Sequence, residues 1–105
     1  MEKIQIVLTT TDSEQEAKKL AKELVRKKLA ACVQIIPGVT SIYRWDDEFV
    51  EDQEFIVQIK TAIFAIEDVF EYISKHHSYD EPEIISIDIE QASKSYKRWV
   101  LDQMM

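Results

Sequence analysis

Apolar and polar positions alternate with two different periods along this chain. "KIQIVLTT" has the period of two expected of a strand, with Ile4, Ile6 and Leu8 assigned to one face. The next stretch changes to helical spacing at Ala17, Leu20, Ala21, Leu24 and Val25. Ser13 and Glu16 have capping-box spacing, which predicts a helix starting at Asp12 or Ser13. Arg26, Lys27 and Lys28 fall at its carboxyl end, where the macrodipole favours cations.

"LAACVQIIPGVTSIYRW" is rich in β-branched and aromatic residues and is broken by Pro37-Gly38, so it reads as two collinear strand pieces joined by a bulge. After the turn "DDE", "FVEDQEFIVQIKT" returns as a second strand, with Phe55, Val57 and Ile59 on one side and Ile56, Gln58 and Lys60 on the other. A second helix is predicted from Ile63 to His76, with an apolar stripe of Ile63, Ile66, Val69, Phe70 and Ile73. "EIISIDIE" reads as a strand, and "ASKSYKRWVLDQM" as a last helix that buries Tyr96, Trp99 and Val100. The order is βαββαβ plus a terminal helix, an α+β ferredoxin-like arrangement with helices on one face of a four-stranded antiparallel sheet.

Strand length carries an expectation about assembly. A 13-residue strand rises roughly 43 Å, against a diameter of about 34 Å for a globule of this size. The outer half of the hairpin must then overhang, exposing Val39, Tyr43, Trp45, Phe49 and Val50. Open edges with apolar side chains predict pairing with further copies of the chain.

Composition adds limits. Residues 1–105 are expected to form a single domain, because 105 residues suit one core of that size. The N-terminus has no charged leader before a long apolar run, and no segment reaches the length of a membrane span, which points to a cytoplasmic protein without a membrane partner. Cys32 is the only cysteine, so no disulfide within the chain is expected. Thirteen basic and twenty acidic residues give a net charge of −7, which disfavours nucleic acid as a partner. A single glycine excludes most phosphate-cradling loops, and no C-x-x-C pair or nucleophile elbow is present, so the expectation is a non-enzymatic protein.

The A-A-C-x-x-I-I-P-G-x-T-S-x-Y-x-W block, continued by "EDQEF" and "HHSYDEPE", resembles the CutA divalent-cation tolerance family over nearly the full length. The resemblance implies a ferredoxin-like subunit in a tight homotrimer, similar in architecture to the PII signalling proteins, with neighbouring long hairpins paired. It also implies a link to divalent metal ions, copper(II) in particular, with no obligatory cofactor and no established reaction. The family's described ligands are a cysteine at the end of the first strand and two adjacent histidines after the second helix. His76 and His77 match the histidines, and Thr9 stands at the cysteine position. Asp47-Glu48 lies where relatives have Gly-Lys at the hairpin turn, and Ser78 replaces a common proline.

Adjacent helical residues point about 100° apart, so His76 and His77 chelate one ion only if the helix frays there or copies share the ion. The alternative is that one packs against the sheet while the other caps the helix end. A second expected site is a cleft where hairpins of two subunits meet, built from Tyr43, Trp45, Lys60, Tyr79 and Glu83 and suited to a small polar ligand.

Overall fold

The computed structural model describes residues 2–105. Strand β1 (Ile4–Thr11) leads into α1 (Glu14–Arg26), and the hairpin β2 (Cys32–Trp45) and β3 (Glu48–Ala62) follows. A 3₁₀ turn (Ile63–Ala65) enters α2 (Ile66–His76), after which come β4 (Ile85–Asp88) and α3 (Lys94–Gln103). The strands form one sheet in the order β2-β3-β1-β4, with every neighbouring pair antiparallel. The α+β ferredoxin-like reading is therefore correct.

Local chemistry explains the ends of α1. Ser13 is extended and its Oγ accepts from the Glu16 N–H at 3.2 Å. The reciprocal half of the expected capping box is absent: the Ser13 N–H bonds to Thr11 Oγ1 at 3.4 Å, while the Glu16 carboxylate accepts from the Ser78 hydroxyl at 3.1 Å. A tertiary partner has taken the local one's place. At the other end Lys28 adopts φ 61, and the Lys28 and Leu29 amides bond to the Val25 and Leu24 carbonyls, the two bonds of a Schellman stop.

The core lies between the helices and one face of the sheet. Val7 and Thr9 of β1 pair with Ile59 and Val57 of β3, and all four are fully buried with Ala17, Leu24, Val69 and Ile73 from the helices. Ile4, Ile6 and Leu8 share the other face of β1, as the alternation predicts. Ile4 is buried, while Ile6 and Leu8 pair with Ile87 and Ile85 of β4 on this face, where both β4 isoleucines are about half exposed. Both faces of β1 are apolar, so alternation alone does not tell which one the helices cover.

Two further expectations change. β4 is four residues long and not eight, ending where its register with β1 ends. Of the three α3 residues expected to be buried, only Val100 is; Tyr96 and Trp99 stack on each other at 5.7 Å and remain substantially exposed. Tyr96 lies beside Lys60, whose ammonium is 5.6 Å from its ring centroid. The ring thus borders the open face of the sheet.

The hairpin has the expected bulge, a register shift between Ile36 and Val39 that contains Gly38 at φ 74. Its turn is Asp46-Asp47, closed by the Trp45↔Glu48 pair, one position earlier than the Asp47-Glu48 expected. The chain extends 46 × 25 × 22 Å, and the overhanging end leaves Ile42 67% and Phe49 78% exposed.

Candidate functional site

The two adjacent histidines do different things. His76 is the last residue of α2, its ring stacked on Tyr72 at 4.0 Å and its Nδ1 2.9 Å from the Tyr72 carbonyl. A carbonyl only accepts, so Nδ1 carries the proton and Nε2 is left with a free lone pair. His77 has already left the helix, at φ −81 and ψ 144. Its Nε2 lies 2.7 Å from the Thr10 carbonyl and its Nδ1 accepts from the Tyr79 N–H at 3.0 Å. By the same logic His77 is the opposite tautomer, neutral and with both nitrogens engaged.

Both rings line a small cavity of about 140 Å³ together with Thr11, Glu16, Lys19 and Tyr72. Of the two rings, only His76 keeps a nitrogen outside these hydrogen bonds. Among the described residues, no group of three or more His, Cys, Asp or Glu side chains is placed to hold a metal. Thr9 does not line this cavity: it is fully buried, and its Oγ1 has no hydrogen-bond partner among the described residues. Cys32 is half-buried and pairs across the sheet with Lys60.

A larger cleft of about 640 Å³ lies against the hairpin. It brings together Tyr43, Trp45, Tyr79 and Glu83 of the expected ligand-cleft residues. Lys60 is not among its lining residues, and its ammonium sits over Tyr96. Within one chain Lys60 therefore stands apart from the other four residues of the expected cleft.

In place of Lys60 the cleft gathers carboxylates from Asp12, Asp52, Glu54, Asp80 and Glu81 around Glu83. Glu54 is only 6% exposed, and its Oε2 accepts from the Tyr79 hydroxyl at 2.6 Å. The Tyr43 hydroxyl donates to Asp52 at the same 2.6 Å. That bond, with desolvation and the nearby carboxylates, pushes the Tyr43 phenol up to about 12. Burial first, then the bond to Glu54, raises the Tyr79 phenol as well.

Sequence reasoning did not assign Glu54, Asp52 or Asp12 to this cleft. Glu54 left no clear signal, because it shares its strand parity with Asp52, Gln58 and Lys60 as well as Ile56. Asp12 and Asp80 come from loops that only the fold brings together.

The sequence profile of the CutA1 divalent ion tolerance proteins matches residues 5–103. The chain belongs to this family. A divalent-cation tolerance protein CutA from Thermus thermophilus is 44% identical over 96 residues, covering 91% of this chain and 93% of that protein. The chloroplastic protein CutA of Arabidopsis thaliana is 38% identical over 95 residues, where the match covers 90% of this chain and 52% of the plant protein. The chain thus spans nearly all of the bacterial relative and about half of the plant one.

Among solved structures, the divalent ion tolerance protein CutA1 of Ehrlichia chaffeensis superposes with a TM-score of 0.95 at 32% identity, covering 100% of this chain and 98% of its own. The Thermus thermophilus structure gives 0.89 at 43% identity, covering 92% and 94%. These names describe tolerance of divalent cations and state no reaction.

Proposed function

We propose that this CutA-family chain is a non-enzymatic, cytoplasmic homotrimer that binds divalent cations, copper(II) foremost, with His76 as its principal ligand. The observation that carries the reading is the His76 tautomer: Nδ1–H is held by the Tyr72 carbonyl and stacking on Tyr72 fixes the ring, so Nε2 is oriented as a donor. One imidazole completed by water, or by groups from a neighbouring copy, favours copper(II) among first-row ions by the Irving–Williams order. His77, the second expected ligand, binds an ion only if one of its two hydrogen bonds is given up.

Calorimetric titration with copper(II) and zinc(II) tests this reading. The unmodified chain is expected to bind copper(II) with modest affinity, and His76→Ala to abolish that binding. Identical curves for the two proteins would remove the site.

The acidic cleft supports a second reading, a PII-like signalling or scaffold trimer that senses a small ligand. Its support is the buried Glu54 carboxylate flanked by Tyr43, Trp45 and Tyr79 in a space of small-molecule size. Thermal-shift screening against metabolite mixtures should reveal a stabilising compound by mass action. A flat screen alongside copper binding leaves the first reading alone.

A further inference from the structure

We infer that His77 is the positioning residue of the acidic cleft: its imidazole joins β1 to the segment 77–84 and so sets Tyr79 against Glu54. Residues 77–84 contain no helix or strand, and Pro82 has no N–H to donate. Among the described residues, the only backbone-to-backbone bond made by an amide of this segment is from His77 to the Ile73 carbonyl, which ends α2. Beyond that point, side chains fix its course. Ser78 donates to Glu16 at 3.1 Å, His77 Nε2–H donates to the Thr10 carbonyl at 2.7 Å, and His77 Nδ1 accepts from the Tyr79 amide at 3.0 Å.

The tilted His77 and Tyr79 rings touch, with centroids 4.7 Å apart, and the Tyr79 hydroxyl then reaches Glu54 on β3. A continuous path therefore runs from β1 through His77 and Tyr79 to β3. It also separates two spaces, because His77 lines the small cavity shared with His76 while Tyr79 lines the acidic cleft.

The chemistry is selective. Thr10 offers only an acceptor and the Tyr79 amide only a donor, so the ring must donate at Nε2 and accept at Nδ1. Gln reproduces the far donor without the near acceptor, and Asn reproduces the near acceptor without the far donor. This role does not depend on metal binding, so it is tested on metal-free protein.

Imidazole ¹⁵N spectra of the unmodified chain near neutral pH are expected to show His77 with a proton on Nε2 and a bare Nδ1, the reverse of His76. Hydrogen exchange at the Tyr79 amide should be about tenfold faster in His77→Gln and close to the original rate in His77→Asn. A proton on Nδ1 of His77 overturns the inference, as does Tyr79 exchange that is unchanged in His77→Gln. The tautomer measurement needs no variant, and a failed copper titration would alter neither result.

Discussion

Two buried threonines separate a satisfied hydroxyl from an orphaned one. Thr61 Oγ1 donates to the Leu29 carbonyl at 2.6 Å, whereas the Thr9 hydroxyl, equally buried, has no partner among the described residues. An unpaired buried hydroxyl carries its desolvation cost without return, so Thr9→Val should raise stability by about 1 kcal/mol and Thr61→Val should lower it by about as much. Urea unfolding of the two variants checks both signs. Residue chemistry was only partly legible beforehand. For His76 and His77 the sequence left open a shared ion or a split in which one packs against the sheet and the other caps the helix end; the single chain has the split, set by the turn of the backbone at ψ 144 and a strand carbonyl 67 residues away in sequence. Tyr43 makes a separate prediction. Its phenol is raised above the ordinary value of 10.0 to about 12, so the folded chain favours the protonated form. The stabilisation is complete below pH 10 and is lost as pH rises from about 10 to about 12. In an alkaline absorbance titration, Tyr43→Phe should remove a phenolate step from the upper end of this range.

At the scale of elements, what depended on neighbouring residues was legible, and what depended on distant packing was not. The Ser13 cap, the bulge at Pro37-Gly38 and the long hairpin were all anticipated because their causes lie within a few residues. The shortened β4 and the exposed aromatic side of α3 were not, because each depends on which face the rest of the molecule covers. The hairpin turn gives the clearest test. Asp46 and Asp47 sit at φ 51 and 65, the signs of a type I′ turn, in which Asn-Gly is the favoured pair. Glycine enters that region without the steric cost borne by a side chain, so Asp47→Gly should stabilise the chain by roughly 0.5–1 kcal/mol, read as a rise in thermal midpoint. Ser13→Ala should act in the opposite direction by about 1 kcal/mol, since the Glu16 amide loses its acceptor.

For the molecule as a whole, the unresolved demand is burial. Ile36, Ile85 and Ile87 on the open sheet face, Tyr96 and Trp99 beside it, and Ile42 and Phe49 on the overhang remain exposed in a single chain. A soluble monomer rarely leaves that much contiguous apolar surface in water, and the open hairpin edge adds unpaired backbone groups. Covering both is what the proposed trimer is expected to do. Light scattering after size exclusion should give the mass of three chains, and a monomer at micromolar concentration would refute the assembly. Ile87→Lys should shift the population toward monomer, because an unpaired ammonium in an apolar interface costs several kcal/mol. Charge opposes this assembly, since each copy brings a net −7. Raising the ionic strength from about 0.01 M to about 0.15 M shortens the screening length from about 30 Å to about 8 Å. If burial drives association and charge resists it, the trimer tightens over that range. An assembly held by ion pairs would loosen instead, so the sign of the salt dependence identifies the force that joins the copies.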